Sequence, residues 1–273
     1  MAQTAGPRRV ATILPPEPRR PARRSMFQVK ICGVTTPADA AAVAAAAADA
    51  VGLNFVPGSP RFLDRDRARA VVAALPAGIL RVGVFAGASV DEMLAVARDL
   101  RLDAVQLHGQ LAADAATPGL PIDGPETCAA LVGLGVIRAV RLDATGLGAA
   151  RRWLETAARA GRLPDVALVD ASLPRDATAG RLGGTGAGVD WDALAAAGPL
   201  PVPTALAGGL TPANVALAIS RTGAAAVDVA SGVESAPGIK DPLLVRAFVV
   251  AAREALAARG GGNGHPLPFS RDG

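Results

Sequence analysis

The sequence is poor in aromatic side chains, cysteine and histidine. It has no Tyr, and aromatic residues make up 3% of its 273 positions. Unpaired bases stack on aromatic rings, so a surface for single-stranded nucleic acid is poorly supplied. Cys32 and Cys128 match no metal-ligand spacing, and there are two His. Free thiols are typical of a reducing compartment, so we expect a cytoplasmic protein, although sequence alone leaves a bridge between the two thiols open.

Positive charge is concentrated at the N-terminus. The formal net charge is +4, but residues 1–25 contain six Arg and one Glu. This local surplus of five leaves the rest of the chain at a net charge of −1. A nearly neutral body has no general attraction for polyanions, so we expect no nucleic-acid partner.

Long apolar runs are also missing. Even the Ala-rich stretch 40–48 ends at Asp49, far short of the roughly 20 residues that span a bilayer. The apolar stretch after the first arginines is too short for a secretory signal, so we expect no membrane partner. We predict a disordered, basic, Pro- and Arg-rich extension over residues 1–25, a catalytic domain over 26–259 and a flexible Gly-rich tail over 260–273. The alternative for residues 1–25 is sequence upstream of a true start at Met26.

Between these ends, eight apolar segments of strand length alternate with eight Ala- and Leu-rich segments of helical spacing. The predicted strands are 27–32, 50–56, 79–85, 103–107, 136–142, 166–170, 202–206 and 226–230. The predicted helices are 37–48, 64–75, 90–100, 125–133, 148–160, 189–197, 212–221 and 240–258. Such alternation predicts a parallel sheet, and eight units favour a single closed (β/α)8 TIM barrel over an open doubly wound sheet.

Two predicted connections are long. Residues 111–124 contain two prolines and read as a surface insertion. Residues 171–188 follow the sixth predicted strand, are rich in Gly and Thr, and form a candidate lid.

Polar residues collect at the carboxyl ends of the predicted strands. In a barrel these ends converge on one face, where active sites lie. The residues concerned are Lys30, Cys32, Arg61, Gln106, His108, Arg141, Asp143, Asp170, Asp228 and Ser231. Singly, each has an ordinary explanation: Cys32 as a buried apolar group, His108 as a loop hydrogen bond, Asp170 as a cap. Their common location favours a site.

Glycines after the last two strands predict a phosphate site. Gly208 and Gly209 follow strand seven, and Ser231 and Gly232 follow strand eight. Backbone N–H groups without a neighbouring Cβ can approach an anion closely there. The pair Gly183-Gly184 in the loop after strand six could add further amides. Neither a Walker-type loop nor a dinucleotide fingerprint occurs, so a phosphosugar is favoured over a nucleotide.

These residues together resemble the phosphoribosylanthranilate isomerase family of tryptophan biosynthesis. The matching stretches follow the family's order through residues 27–249. They are 29–35, 59–62, 81–85, 105–109, 168–170, 183–186, 189–191, 206–210, 227–229, 231–234 and 237–241.

The resemblance implies an Amadori rearrangement of N-(5-phosphoribosyl)anthranilate to 1-(2-carboxyphenylamino)-1-deoxyribulose 5-phosphate. It implies Asp170 as the general acid that opens the ribose ring and Cys32, as thiolate, as the general base. For these roles the thiol needs either a lowered pKa or loss of its proton in step with another proton transfer, and the carboxyl group needs a raised pKa.

For binding, the resemblance implies that Arg61 holds the anthranilate carboxylate, that His108 and Asp228 line the substrate, and that the loops after strands seven and eight hold phosphate. It implies a small-molecule phosphosugar substrate and no metal or organic cofactor. The expected state is a monomer or homodimer.

This interpretation has three alternatives and four departures from the family pattern. The insertion at 111–124 and the N-terminal extension have no counterpart in the family. Asp170 is followed by Ala-Ser rather than Ser, and Ala230 replaces the first Ser of a Ser-Ser-Gly turn. A non-catalytic phosphosugar-binding barrel would need neither Cys32 nor Asp170. The related histidine-pathway aminoaldose isomerase would have Asp in place of Cys32. A thiamine-phosphate-forming transferase would need diphosphate and magnesium ligands, for which we find no candidates.

Overall fold

The computed structural model describes residues 25–111, 122–142, 146–170 and 191–260. Nearly all of the predicted extension, most of the predicted insertion, the tail after residue 260 and Asp143 lie outside the described residues. So does the candidate lid with Gly183 and Gly184. The domain boundaries at 25 and 260 therefore stay predictions.

Eight parallel strands close into a barrel in sequence order, as predicted. They are β1 (Val29–Cys32), β2 (Ala50–Asn54), β3 (Leu80–Phe85), β4 (Ala104–Leu107), β5 (Gly135–Arg141), β6 (Val166–Asp170), β7 (Thr204–Ala207) and β8 (Ala226–Val229). The helices around them are α1 (Pro37–Ala45), α2 (Arg65–Ala73), α3 (Val90–Leu100), α4 (Glu126–Ala130), α5 (Gly148–Arg159), α6 (Trp191–Ala196), α7 (Val215–Thr222) and α8 (Pro242–Gly260). The (β/α)8 prediction is confirmed.

Local sequence explains where the first helices begin. Thr36, Asp64 and Ser89 each occupy an N-cap, and each side chain accepts a hydrogen bond from the backbone N–H three residues later. Such caps satisfy donors that the helix itself leaves unpaired. Pro37 follows the first cap at a position where its missing N–H costs nothing.

One part of the chain departs from the prediction. A 3₁₀ turn over Ser231–Val233 and a short antiparallel hairpin, β9 (Glu234–Ala236) with β10 (Ile239–Lys240), precede the last helix. Helix α8 begins at Pro242 rather than at 240, because the Asp241 carboxylate accepts the N–H groups of Leu243 and Leu244. A three-residue strand is too short to be found by alternation.

The barrel interior is divided by height. Its lower part holds mainly small and medium apolar side chains, among them Ala50, Val82, Ala104, Ile137 and Leu168. Alternate residues point outward, where Val, Ile and Leu pack against the helices. The polar side chains that face inward are therefore confined to the carboxyl ends of the strands.

Aspartates at the opposite face fix the starts of the strands. Asp49 accepts the N–H groups of Gln28 and Val29, Asp103 accepts that of Arg81, and Asp165 accepts that of Val136. Each carboxylate precedes an even-numbered strand and binds the odd-numbered strand before it. Within the described residues, no helix is long and apolar enough to cross a bilayer.

A buried pair, which we call the Asp123–Arg138 clamp, holds the loops after β3 and β4. Arg138 donates to the carbonyls of Leu107 and Gly109 at 2.9 and 2.8 Å. Asp123 accepts the N–H groups of Gly87 and Gly109 at 2.8 and 2.6 Å. The clamp therefore grips the backbone on both sides of residue 108. Asp123 lies in the predicted insertion, so the end of that segment is part of the buried structure.

We expect Arg138→Met to lower the free energy of unfolding by roughly 3–5 kcal/mol, because it leaves a buried carboxylate without its charge partner. Urea denaturation measures this, with Arg152→Met on the exposed face of α5 as the matched control. The control should stay within about 0.5 kcal/mol of the parent protein. Equal losses in both variants would show that the clamp adds no stability.

Candidate active site

Strand β1 carries two polar side chains into the barrel. Lys30 and Cys32 face inward, whereas Val29 and Ile31 pack outward into the main core. Lys30 is fully buried and Cys32 is half-buried at the end of the strand. An ammonium and a thiol two residues apart thus lie on the same side of one strand.

Lys30 is held by Asp228 of β8. The two residues are paired across neighbouring strands, and Nζ lies 3.0 Å from Oδ1. Both side chains are almost completely removed from solvent, 0% and 7% exposed. Burial acts to lower the pKa of Lys30, but the Asp228 carboxylate and the Cys32 thiol in its ionised form more than offset it, so the pKa is raised. Lys30 is therefore a cation at neutral pH.

A glycine on β2 makes room for the thiol. Gly52 pairs with Cys32, and a Cβ on Gly52 would lie 2.6 Å from Sγ and 3.1 Å from the Lys30 Nζ. The sulfur and the ammonium therefore occupy the same recess, which any side chain at position 52 would fill.

The electrostatics of Cys32 differ from the lowered pKa that the sequence led us to require of a base. Burial raises the pKa of the thiol, and the Asp228 carboxylate adds to that shift. The Lys30 and Lys240 ammonium groups oppose it without overcoming it. At neutral pH Cys32 is therefore mainly a thiol beside a cation. It can act as a base only after it loses its proton during the reaction.

Asp170 ends β6 at the same face of the barrel. It is half-buried and is paired in register with Arg141 of β5. Its charge acts on the imidazole of His108, which follows β4. The predicted acid thus lies among the strand ends with His108, as the barrel topology requires.

His108 lies at the rim of the barrel mouth with an exposed side chain. Its Nδ1 is 3.2 Å from Nε2 of the buried Gln106, an arrangement that assigns the hydrogen on the ring to Nε2 if the amide donates. The surrounding protein lowers the pKa of the imidazole, and Asp170 only partly offsets this. His108 is therefore neutral near pH 7 and can donate to a ligand above the barrel.

One edge of the Arg61 guanidinium is already hydrogen-bonded within the protein. Its Nε and Nη2 donate to the two carboxylate oxygens of Glu234 at 2.7 and 2.6 Å. The same carboxylate accepts from Lys240 Nζ at 2.8 Å, and Lys240 also donates to the carbonyl of Ala230. Glu234 therefore fixes one edge of the fork and leaves the edge that includes Nη1 for another acceptor.

Gly33 is required by this arrangement. Its φ of +72° is in the left-handed region, and a Cβ there would collide with Cδ of Arg61. The turn after β1 thus allows the Arg61 stem to cross directly over the backbone.

The loops predicted to hold phosphate touch each other. Gly208 and Gly209 have positive φ values of 89° and 61°, and turn the chain after β7. Gly232, in the 3₁₀ turn after β8, packs so closely that a Cβ would strike the carbonyl oxygen of Leu210. The two glycine loops therefore form a continuous backbone surface with Ser231.

Four contributors went unassigned from the sequence: Gly52, Glu234, Lys240 and, in any specific role, Lys30. A glycine inside a predicted strand signals close approach of another group, so Gly52 could have been identified. Glu234 and Lys240 lie in a hairpin that the sequence pattern did not reveal. The contact of Glu234 with Arg61 spans 173 positions, and no local sequence signal reports it.

The family comparison matches residues 29–251 of the chain to the model of N-(5'-phosphoribosyl)anthranilate (PRA) isomerase. Among curated relatives, the N-(5'-phosphoribosyl)anthranilate isomerase of Myxococcus xanthus is 42% identical over 226 residues, covering 83% of this chain and 96% of the relative. That of Haloferax volcanii is 43% identical over 238 residues, covering 85% and 96%.

Solved structures give the same result. Phosphoribosyl anthranilate isomerase from Thermotoga maritima matches with a TM-score of 0.65 and 33% identity, covering 84% of this chain and 99% of that one. A structure of such an isomerase with reduced 1-(o-carboxyphenylamino)-1-deoxyribulose 5-phosphate matches at 0.63 and 31% identity, covering 84% and 99%. Another matching structure is of monomers made from the dimeric Thermotoga maritima isomerase.

We expect Glu234→Gln to lower the free energy of unfolding by about 3–5 kcal/mol, because the buried Lys240 and the half-buried Arg61 lose their shared anion. The matched control is Asp192→Asn, which breaks an exposed pair with Arg221, worth about 0.2–1 kcal/mol. Urea denaturation of both variants measures the difference. A loss in Glu234→Gln no larger than in the control would contradict the role of Glu234.

Proposed function

The chain belongs to the N-(5'-phosphoribosyl)anthranilate isomerase family of tryptophan biosynthesis, and we propose that Cys32 and Asp170 catalyse the Amadori rearrangement of N-(5'-phosphoribosyl)anthranilate in it. The observation that supports this assignment is the common location of the two groups. Each is the last residue of its strand, and each side chain faces the barrel interior at the carboxyl face, where barrel enzymes place reacting groups.

The reaction begins with opening of the ribose ring. Asp170, in its acid form, donates a proton to the ring oxygen, and the C1–O bond breaks as the nitrogen lone pair forms a C1=N bond. The charge of Asp170 acts on the imidazole of His108, which is neutral near pH 7, and the His108 Nε2–H is available for a substrate oxygen. The product of this step is an open-chain Schiff base with a protonated nitrogen.

The second step moves a proton from C2. Cys32 first releases its own proton to solvent, and the thiolate so formed takes the C2 proton. The C–H electron pair forms a C1=C2 double bond as the C=N pair returns to nitrogen. The enolamine then tautomerises: C1 gains a proton, the C2 hydroxyl loses one, and the ketone forms. Substrate and product are isomers, so the rearrangement needs no oxidant or reductant.

The binding roles follow from the groups at the barrel mouth, which are Arg61, the glycine loops after β7 and β8, and Asp228. The edge of Arg61 that includes Nη1 suits the anthranilate carboxylate, since the opposite edge is already fixed by Glu234. The loops with Gly208, Gly209, Ser231 and Gly232 suit the 5'-phosphate through backbone N–H groups. Asp228 lines the space between them next to Cys32.

The substrate is a small phosphosugar, in keeping with the related structure that holds a reduced carboxyphenylamino-deoxyribulose phosphate. The protein acts as a monomer or a homodimer, since the Thermotoga maritima relative is described as dimeric. No metal or organic cofactor enters any step of the proposed mechanism.

Turnover of phosphoribosylanthranilate, generated in situ and followed by the loss of its fluorescence, tests the proposal. We expect activity in the parent protein and a loss on the order of 10²–10⁴ in kcat for Cys32→Ala and for Asp170→Asn, the usual contribution of a general acid or base.

The matched control is Cys128→Ala, which removes the other free thiol, on the buried face of α4, and should keep kcat. No turnover by the folded parent protein would favour the non-catalytic phosphosugar-binding barrel. Full activity in Cys32→Ala would exclude the thiol as the base.

A further inference from the structure

We propose that Lys30 is the positioning residue of the thiol: its buried ammonium holds the Cys32 sulfur in the recess over Gly52 and stabilises the thiolate. This inference rests on the proposed function and deepens it, because it names the group that makes the thiol competent as a base. Lys30 acts through Cys32 and takes no proton from the substrate itself.

The geometry of the recess supports this role. The Lys30 Nζ and the Cys32 Sγ both lie within about one atomic contact of the point where a Gly52 Cβ would be, at 3.1 and 2.6 Å. Asp228 also accepts from the ammonium, at 3.0 Å. The ammonium thus has a carboxylate as its partner and lies near a thiol that becomes an anion only during catalysis.

The charged groups around Cys32 carry a net positive charge that a thiolate would neutralise. The titratable groups that face the thiol are Lys30 on the same strand, Asp228 on β8, Lys240 on β10 and Arg61 in the loop after β2. Glu234 binds the last two. These five groups comprise three cations and two anions, so the cluster carries +1 with a thiol and is neutral with a thiolate.

A purely structural ion pair would not need this arrangement. An isolated Lys–Asp pair in a barrel could be replaced by apolar side chains at little cost to stability. Here the pair lies at the catalytic face, and the neighbouring strand β2 has a glycine where a Cβ would crowd both Nζ and Sγ. Both features place the positive charge against the sulfur.

The test measures the rate at which iodoacetamide alkylates Cys32 at each pH, with peptide mapping to separate it from Cys128. The thiolate is the reactive form, so the rate rises with pH through the pKa of the thiol and then reaches a plateau. The midpoint reports the thiol pKa, whereas the plateau reports access. In the parent protein we expect a midpoint above the ordinary value of about 8.5.

For Lys30→Met we expect the midpoint to rise by about one pH unit and the rate at pH 7 to fall roughly tenfold, since one pKa unit is a factor of ten. For Asp228→Asn we expect the opposite direction, because this carboxylate opposes the thiolate. A merely structural Lys30 would change the plateau or the unfolding midpoint and leave the pH midpoint in place, which would overturn the inference.

A second variant keeps the test decisive if Lys30→Met does not fold. Gly52→Ala keeps the ammonium and its carboxylate but fills the recess, so it should also raise the midpoint for Cys32. Its matched control is Gly83→Ala on β3, where a Cβ would meet Leu102 and Phe85 rather than charged groups. An unchanged midpoint in Gly52→Ala would contradict the inference.

Alkylation requires no turnover, so the two proposals can fail separately. A shifted midpoint in a protein that does not isomerise the substrate would remove the proposed function alone. An unshifted midpoint in an active enzyme would remove the role of Lys30 alone.

Discussion

The buried ion pair between Lys30 and Asp228 joins the first and last strands at the point where the barrel closes. Taking two charges out of water costs several kcal/mol per ion, and removing either partner leaves the other exposed to that cost. The pair is tolerated because the backbone register sets the two residues opposite each other. Its location also decides the electrostatics of the whole barrel mouth, since Cys32 lies beside the ammonium.

A second charged group, formed by Arg61, Glu234 and Lys240, joins the loop after β2 to the hairpin after β8. Although burial acts to raise the pKa of Glu234, its hydrogen bonds to both cations outweigh this, and the pKa is lowered. Glu234 is therefore an anion at neutral pH and holds Arg61 across Gly33. The short hairpin that carries Glu234 and Lys240 is itself fixed from the β1–α1 side: Thr35, in the turn after β1, donates to the carbonyl of Gly238, and Asp39, in the first turn of α1, accepts the N–H of Lys240. The barrel mouth is thus held by charge, whereas apolar side chains fill the barrel interior below it.

The sequence predicted the barrel well because each strand and helix leaves a local signal. Thr36-Pro37 and Ser89 mark helix starts, and β-branched runs such as Val166–Asp170 mark buried strands. The candidate site was predictable to the extent that polar residues end strands, as Cys32, His108 and Asp170 do. Contacts that cross the barrel were not. The pairing of Arg61 with Glu234, the recess at Gly52 and the upward shift in the pKa of Cys32 depend on distances that only the closed fold sets.

The central claim is that Cys32 removes the C2 proton of the substrate. The most direct measurement uses phosphoribosylanthranilate with deuterium at C2 of the ribose and compares its turnover with that of the protium substrate in Cys32→Ser and Asp170→Asn. A hydroxyl is a far weaker base than a thiolate, so proton removal should limit the rate in Cys32→Ser, and a primary isotope effect should emerge there. In Asp170→Asn ring opening should limit the rate, and the isotope effect should be small. A large isotope effect in Asp170→Asn together with none in Cys32→Ser would contradict the assignment of base and acid.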